Sequence, residues 1–450
     1  MTFIRHIEVK GLFGLYDHTI DVRARPRVTV VAGPNGIGKS TVLSLAQALM
    51  RGDMRELGKH EFEEFAVEMQ DGHRLSVRPI EPTEDLEEAG KKLQILLRKK
   101  DEVVKEGQFD ALRASSELAL PPSVEEHGPD LFYDQRSDEY MTLQEVEMRF
   151  GRSQRLNKRT VREQAHWLDQ VTEDWRVDFI ETKRLDTFMT RVRRQRGVRR
   201  RDGEAAPIQI YLQEVAASLG AAQRQSDRTR QIQDRTFARR MLSKGSKLSV
   251  KEPILRERYA ALTAEAETLA ENGLLTDSLE VLSEEKLTPT DKRILKLFLD
   301  DFEAKLKPLK PMSDRVEKLK AVIGSKFLNK RIEIDPQQGV EFYSEPDDKP
   351  IAPESLSSGE QHALALTSRL LFREAEGTTV LIDEPELSLH VGWQHEMITD
   401  LVEIARIANL SFVLATHSTA IINGRWDLVE ELGALDPEHP GHEEVGDSGS

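Results

Sequence analysis

The sequence has no cysteine, no long apolar run and no excess of positive charge. The absence of cysteine excludes disulfide bonds, thiolate metal sites and cysteine nucleophiles. No apolar run approaches the ~20 residues that a membrane-spanning helix needs, and the N-terminus lacks the charged-then-apolar pattern of a secretion signal. The 450 residues, 38% of them hydrophobic, suffice for two or three domains with a buried core. We therefore expect a cytoplasmic protein that does not enter a membrane.

The charge balance is acidic, with one exception along the chain. A formal net charge of −15 argues against a protein that coats nucleic acid over its whole surface. The exception is a dense run of arginines, namely Arg191, Arg193, Arg194, Arg196, Arg199, Arg200 and Arg201. Two interpretations of this run stay open: it binds phosphate or an acidic partner, or it is only a solvated loop, which is the simpler of the two.

A phosphate-binding loop is the most informative feature that is present. The segment from Gly33 to Thr41 reads GPNGIGKST and fits the pattern G-x-x-x-x-G-K-[ST]. It follows an apolar run at 27–32 and precedes a helix with an apolar face, which is the strand–loop–helix context that such a loop requires. A chance glycine-rich turn would need none of these flanking elements. We expect the nucleotide contacts to come from Asn35, Gly36, Gly38, Lys39, Ser40 and Thr41.

The residue types in this loop indicate how it would hold ATP. Glycines leave room for backbone N–H groups to close round the phosphates, and the helix N-terminus adds partial positive charge. Lys39 is expected to reach the β- and γ-phosphates, and the Ser40 hydroxyl to ligate Mg²⁺. The loop therefore predicts binding of a nucleoside triphosphate with Mg²⁺.

A second motif supplies carboxylates, more than three hundred residues downstream. The apolar run at 378–382 predicts a buried strand, and it ends in Asp383, Glu384, Pro385 and Glu386. Asp383 is placed to hold Mg²⁺, and Glu384 to polarise the attacking water as a general base. Neighbouring acids on a loop ordinarily indicate a solvated turn. In a chain with a phosphate-binding loop, the catalytic interpretation is the better one.

Two further segments fit the same site. The apolar run at 412–415 ends in Thr416, His417 and Ser418, and His417 is placed to hydrogen-bond a γ-phosphate and report its presence. The segment 356–361 precedes a helix, and its Ser357 and Gly359 offer a hydroxyl, backbone N–H groups and a helix N-terminus to an anion. Alone, it would be an ordinary helix cap.

Periodicity predicts the remaining elements. It indicates strands at 3–31, a hairpin at 65–69 and 74–77, and a further buried strand at 175–180. An exposed helix is predicted over 84–104, and long helices over 208–330. A strand pair is predicted at 332–334 and 340–342, and a disordered tail at 436–450. The charged segment 107–165 has no clear period and is left unassigned.

Together, these elements resemble the ABC-type ATPase heads of the SMC, RecF and double-strand-break repair class. The resemblance covers residues 1–50, 177–184 and 330–430. It implies an α/β fold, namely an ABC-type P-loop head with a mixed central sheet, an antiparallel β lobe and a helical or coiled-coil insertion. It identifies Ser357 and Gly359 with the ABC signature and Asp383 with the Walker B aspartate.

The resemblance also implies an assembly and a division into domains. Two heads stack head-to-tail with ATP between the P-loop of one and the signature of the other, so the chain acts as a homodimer or higher homo-oligomer, and 388–390 cross that interface. We expect the P-loop part of the head at 1–83, a helical and charged insertion at 84–170, a head strand at 171–190, an arginine-rich loop and helical arm at 191–330, the signature, Walker B and switch-histidine part at 331–432, and a disordered tail at 433–450.

A narrower resemblance is to the ATPases of bacterial anti-phage systems, among them those of the PARIS and Septu systems and the OLD nucleases. Segments 356–362, 383–390 with 393–394, and 415–418 carry it. Such ATPases often have glutamine where this chain has Lys183, which leaves the residue of the Q-loop open. OLD proteins carry a TOPRIM nuclease domain after the ATPase, whereas 33 residues follow His417. We therefore expect a separate nuclease or TOPRIM-like effector chain.

The sequence thus predicts a slowly hydrolysing ATPase that acts as sensor and scaffold for this effector in anti-phage defence, with a phage protein as a candidate trigger. The main alternative is a DNA-repair or chromosome-maintenance ATPase of the RecF or SMC type that binds DNA directly. A transporter subunit is a weaker alternative, because the chain lacks a coupling-type domain and carries helical insertions.

Overall fold

The computed structural model of the protein describes most of the chain. The described residues are 2–80, 92–100, 102–110, 124–128, 131–134, 139–141, 167–168, 170–172, 174–181, 207–242, 251–275, 279–335, 339–373, 375–387 and 389–433. The arginine run at 191–201, Lys183, Ser388 and the tail at 436–450 lie outside them. Within the described part of the chain, no helix has the length and apolar character to cross a membrane.

The N-terminal part contains the P-loop strand and an antiparallel lobe. Six of its strands form one sheet in the order β2-β1-β4-β5-β6-β7. The predicted hairpin is confirmed, with Phe65 opposite Val77 in the antiparallel register. The elements are β1 (Ile4–Leu12), β2 (Tyr16–Asp21), β3 (Val28–Ala32), α1 (Lys39–Arg51), α2 (Met54–Lys59), β4 (Glu64–Met69), β5 (His73–Ile80), β6 (Lys92–Lys99) and β7 (Glu102–Asp110).

The exposed helix predicted over 84–104 is wrong in its described part, because β6 and β7 occupy it. β6 pairs along its whole length with β5, from His73 opposite Lys99 to Ile80 opposite Lys92. The apolar residues of this segment fit a period of two as well as a helical period, since 93, 95 and 97 alternate and all are buried. The free edge of β5 decides between the two, because only a strand satisfies its backbone groups.

Between the lobe and the helices, four short strands are described. Three of them form a small antiparallel sheet inside the segment that the sequence leaves unassigned. The fourth covers most of the strand predicted at 175–180 and joins the central sheet, although Ile180 is its one fully buried residue. They are β8 (Val124–Gly128), β9 (Leu131–Asp134), β10 (Glu139–Met141) and β11 (Val177–Glu181).

The predicted long helices are confirmed as α3 (Pro207–Leu242), α4 (Glu252–Glu271), α5 (Pro289–Leu306) and α6 (Lys310–Lys326). α5 begins where local chemistry dictates, with a capping box between Thr288 and Asp291. α3 extends ~54 Å at 1.5 Å per residue. Its last buried residue is Ser226, so its C-terminal part extends beyond the shared core and lies along α5, held by an ion pair between Arg240 and Asp301.

The C-terminal part completes the head. The predicted strand pair is confirmed, with Ile332 opposite Phe342. The elements are β12 (Lys330–Asp335), β13 (Gly339–Ser344), β14 (Pro350–Ile351), a 3-10 turn (Pro353–Ser355), α7 (Ser358–Ser368), a π-helical turn (Arg369–Arg373), β15 (Thr379–Asp383), α8 (Val391–Ile407), β16 (Ser411–Ala415), α9 (Thr419–Ile422), a 3-10 turn (Trp426–Leu428) and β17 (Val429–Glu431).

The central sheet positions the site. Its order is β11-β15-β16-β3-β17, and every described pair is parallel. The predicted mixed sheet is thus a parallel sheet beside a separate antiparallel lobe. The strands are buried on both faces: Val380 and Ile382 pack into the core shared with the helices, while Leu381 packs into the core shared with the lobe. The carboxyl ends of β3, β15 and β16 therefore meet at one edge, as the fold of an ABC-type P-loop ATPase requires.

Buried charges tie the helical region to the head. Lys318 and Lys326 of α6 both donate hydrogen bonds to Asp400 of α8, and both lysines are buried. Burial by itself would lower the pKa of Lys318, but hydrogen bonds to Asp400 and Glu403 offset this and raise it. A movement of α6 relative to α8 would therefore break or replace these ion pairs.

Replacing Asp400 with alanine is expected to reduce the free energy of unfolding by about 3 kcal/mol, because two buried lysines lose their shared carboxylate. The matched control is Glu403→Ala, which removes a half-exposed carboxylate from the same lysine and should cost less than about 1 kcal/mol. Urea denaturation midpoints of the two variants measure the difference. Equal midpoints would contradict a stabilising role for the buried pairs.

Candidate nucleotide site

The P-loop lies tightly against the first hairpin of the lobe. β3 ends at Ala32 and α1 begins at Lys39, with Gly38 between them at φ 99°. A Cβ at Gly38 would lie 2.4 Å from Leu12 Cδ2 and 3.3 Å from a ring carbon of Phe13. A side chain at position 38 therefore has no space and an unfavourable backbone conformation. Glycine at this position lets the loop close against the lobe.

A histidine of the lobe supports the loop from below. His18 of β2 is buried, and its Nε2 donates to the carbonyl oxygen of Ile37 at 2.8 Å. Tyr16 stacks on the His18 ring. No sequence pattern singles out His18, because the contact depends on how the lobe packs against the loop.

Lys39 connects the loop to the acidic strand. Its Nζ donates to the carbonyl oxygens of Gly33 at 2.7 Å and Pro34 at 2.8 Å. Burial lowers the pKa of Lys39, and the charges of Asp383, Glu384 and Glu386 act in the opposite direction. The lysine thus lies in the field of all three downstream carboxylates.

Ser40 and Asp383 form the direct contact between the two motifs. Ser40 Oγ donates to Asp383 Oδ1 at 2.7 Å, across a separation of 343 residues. Among the described residues, no group of three or more His, Cys, Asp or Glu side chains is arranged to hold a metal ion. A hydroxyl and a single carboxylate nevertheless fit Mg²⁺, which usually takes one or two carboxylates together with substrate phosphates and water. The donor set therefore fits the predicted ion.

Glu384 has an unusual backbone conformation. Its φ is 47°, in the left-handed region that non-glycine residues rarely adopt, and its N–H donates to Ala415 O at 2.9 Å. Such conformations cost roughly 1–3 kcal/mol and cluster at functional sites. The bond to Ala415 places the Glu384 backbone at the end of β15, next to the switch loop that follows β16.

The switch loop (Thr416–Ser418) is fixed by Glu386. Glu386 Oε1 accepts from Thr416 Oγ1 at 2.8 Å and from the His417 backbone N–H at 3.2 Å, and it lies 3.1 Å from His417 Nδ1. The Thr416 backbone N–H donates to Val31 O at 3.1 Å, which attaches the loop to the P-loop strand. Although the sequence points to His417, it gives Glu386 no role.

Gln394 links the segment after the acidic strand to the switch loop. Its Nε2 donates to the carbonyl oxygens of Glu386 at 3.3 Å and Leu389 at 3.1 Å, and its Oε1 accepts from Ser418 Oγ at 3.0 Å. The segment predicted to cross a dimer interface is therefore hydrogen-bonded to the loop that carries His417. This link was not predicted, although Gln394 was part of the motif.

The signature segment forms an exposed helix start. Ser357 is the N-cap of α7, and a capping box joins it to Glu360 through two hydrogen bonds of 3.3 Å and 2.8 Å. Lys330 Nζ donates to Glu360 Oε1 at 2.5 Å. Burial raises the pKa of Glu360, but the hydrogen bonds from Lys330 and Ser357 outweigh it and lower the pKa. Among the described hydrogen bonds, none joins Ser357 or Gly359 to the P-loop of the same chain.

The structure thus groups the sequence-selected residues in two places. The P-loop, Asp383, Glu384 and His417 lie at one edge of the central sheet. Ser357 and Gly359 begin a helix whose first turn has other hydrogen-bond partners. The individual roles assigned to these residues stay predictions.

The parallel central sheet and the P-loop at its edge define the fold of an ABC-type P-loop ATPase. A family model described as "AAA domain, putative AbiEii toxin, Type IV TA system" matches residues 182–423, which is more than half of the chain. The chain belongs to this family. The matched region contains the signature, Walker B and switch segments and begins after the P-loop. Among curated proteins, none matches the chain.

Solved SMC heads are among the similar structures. The Smc head domain with an extended coiled coil from Pyrococcus furiosus, bound to the C-terminal domain of ScpA, is 11% identical with a TM-score of 0.35, covering 96% of this chain and 94% of that one. The SMC head domain from Thermotoga maritima is 9% identical with a TM-score of 0.33, covering 95% and 94%. The fold class rests on the sheet order and the P-loop.

Proposed function

We propose that the protein binds and hydrolyses ATP as a sensor and scaffold that controls a separate effector in anti-phage defence. The observation that carries the ATPase part is the 2.7 Å contact between Ser40 and Asp383, because it joins the P-loop to the acidic strand. Lys39 lies in the field of the same acids. The family description, which names a putative toxin of a toxin–antitoxin system, supports the defence part of the proposal.

The proposed chemistry assigns one task to each residue. Backbone N–H groups of the P-loop and Lys39 bind the phosphates, and Ser40 and Asp383 hold Mg²⁺, which neutralises phosphate charge when bound. Glu384 accepts a proton from the attacking water. His417 lies on the switch loop, next to the P-loop strand, and is proposed to meet the γ-phosphate. Hydrolysis yields ADP and phosphate, with the water proton passed through Glu384 to solvent.

The second half of the site is proposed to come from another copy of the chain. Ser357 is exposed at the first turn of α7 and is not hydrogen-bonded to its own P-loop. A helix N-terminus with an exposed hydroxyl suits a phosphate. A head-to-tail dimer would place it against the nucleotide of the partner.

The structure also suggests how such closure would reach the helices. Lys330 follows α6 and bonds the signature through Glu360, while Lys318 and Lys326 bond α6 to α8. Nucleotide-driven movement of the signature would therefore be transmitted to the helical region, which is the proposed surface for the effector. We propose an arrangement like that of the AriA ATPase of PARIS systems or the PtuA ATPase of Septu systems, whose motifs the segments 356–362, 383–390 and 415–418 resemble.

The candidate function from the other class is DNA repair or chromosome maintenance of the SMC type. The net charge of −15 counts against broad DNA binding, and the arginine run at 191–201 is the feature that favours it. Salt-dependent DNA binding by the purified dimer would favour this alternative. A nuclease or toxin that copurifies with the chain in an ATP-dependent manner would favour defence.

Composite sites predict partial recovery of hydrolysis when two inactive chains are mixed. Lys39→Ala removes the cationic side chain that is proposed to bind the phosphates. Ser357→Arg blocks the γ-phosphate bound to the partner and leaves the P-loop of the substituted chain intact. A mixed dimer contains one site with both Lys39 and Ser357, so phosphate release should rise on mixing, provided that one site can act alone. The measurement is steady-state phosphate release by each chain and by the mixture.

The Ser357→Arg chain alone is the decisive control. Normal hydrolysis by that chain would show that the signature does not complete the site. Ser344→Arg, at the end of β13, is the matched control for introducing an arginine elsewhere, and it should hydrolyse ATP at the parental rate.

A further inference from the structure

Glu386 is a buried carboxylate whose two oxygens have different surroundings. Its side chain is 7% exposed, and Oε1 faces three nitrogen and oxygen donors of the switch loop. Its Oε2 is buried and has no hydrogen-bond partner. A buried carboxylate is costly unless its charge serves a partner. The available partner is the imidazole of His417, whose side chain is half exposed.

The chemistry of the carboxylate decides which ring nitrogen carries the proton. An ionised carboxylate only accepts hydrogen bonds, so the 3.1 Å separation between His417 Nδ1 and Glu386 Oε1 favours the proton on Nδ1. In the neutral ring, Nε2 is then left with a lone pair. In the imidazolium, Nε2 donates an N–H as well. The group that holds one nitrogen thus defines what the other can do.

We propose that Glu386 is a positioning residue that fixes His417 with its proton on Nδ1 and Nε2 free to act at the nucleotide. This inference rests on the proposed ATPase function. Lys39, Asp383 and Glu384 are the other charged groups of this edge, since all three acids act on the lysine. The Glu386 side chain bonds the switch loop directly. It acts through the histidine.

The network also links Glu386 to the segment that is predicted to cross a dimer interface. Gln394 donates to the carbonyl oxygen of Glu386 and accepts from Ser418, the residue after His417. The segment that leads to the proposed dimer interface and the orientation of the histidine therefore share one anchor. Positioning of His417 would be sensitive to whether a partner head is docked.

The test separates positioning from simple support of the fold. Glu386→Gln keeps the shape and one acceptor oxygen but removes the charge, and its amide can accept from or donate to the ring. Thr416→Val removes another hydrogen bond to the same oxygen and leaves Nδ1 alone. Glu64→Gln is the matched control, a buried glutamate paired with Arg78 in the lobe. Thermal unfolding of the three variants shows whether each is folded.

The first readout is the tautomer of His417 in the nucleotide-free protein, from ¹⁵N NMR near pH 9, where histidines are neutral (reference value about 6.5). The His417 signal is the one lost in His417→Gln. We expect the Nδ1–H tautomer in the wild type, Thr416→Val and Glu64→Gln, and a mixture of tautomers in Glu386→Gln. The Nε2–H tautomer in the wild type, or an unchanged tautomer in Glu386→Gln, would overturn the proposal.

The second readout is steady-state hydrolysis. Glu386→Gln should lower kcat about 10-fold to 100-fold with little change in KM, the usual loss when the group that orients a working histidine is removed. Combined with His417→Gln it should cause no further loss, because Glu386 acts through that ring. Additive losses would overturn the inference. A wild type that hydrolyses no ATP would refute the proposed function instead, while the tautomer stays measurable.

Discussion

Alanine at position 39 is expected to abolish measurable ATP binding. Lys39 Nζ makes two hydrogen bonds to P-loop carbonyls, so its cationic head lies over the loop that would cradle the phosphates. If Lys39 makes two charge-assisted hydrogen bonds to the phosphates in the complex, at roughly 1.5–3 kcal/mol each, their loss weakens affinity by about 10²–10⁴-fold. An equilibrium titration with a fluorescent ATP analogue measures the loss.

The control for this variant is a lysine outside the site. Lys349→Ala removes an exposed lysine paired with Asp347 in the turn before β14, so affinity for the analogue should be unchanged. If Lys39→Ala binds the analogue as tightly as the parent does, the P-loop assignment is wrong. Circular dichroism of both variants shows whether any loss of binding reflects loss of the fold.

Glutamine at position 384 is expected to separate binding from hydrolysis. The amide cannot take the proton of the attacking water, so phosphate release should fall by about 10²–10⁴-fold, the usual contribution of general-base catalysis. ATP affinity should persist, because Lys39, Ser40 and Asp383 keep their contacts. The variant should therefore accumulate as an ATP-bound dimer, measured by light scattering with and without ATP.

The paired control is Glu430→Gln. Glu430 lies on β17, the last strand in the order of the same sheet, and the substitution removes the carboxylate that pairs with Arg23. Its hydrolysis should match that of the parent. A Glu384→Gln chain that hydrolyses at the parental rate would show that another group activates the water. Retained ATP with a monomeric state would instead argue against the head-to-tail assembly.

Local patterns were sufficient wherever the determining interactions lie close in sequence. The P-loop, the buried strands ending at Asp383 and Ala415, and the four long helices all follow from motif spacing and periodicity. The capping box of Ser357 and Glu360 is also local, since it spans three residues. In each case the backbone hydrogen bonds are satisfied within the element or by a neighbouring strand of evident pattern.

The sequence by itself determined the class of protein and the residues of its proposed nucleotide site. The tertiary structure alone decided that residues 92–99 form the strand β6. Their apolar residues fit both a helical period and a period of two, and pairing with the edge of β5 selects the strand. The tertiary structure also decided three contacts: that of His18 with the P-loop, that of Gln394 with the switch loop, and that of Glu386 with His417. These contacts join segments that meet only when a parallel sheet brings the carboxyl ends of distant strands together. A polar residue gives no local signal of the partner that the fold will bring to it.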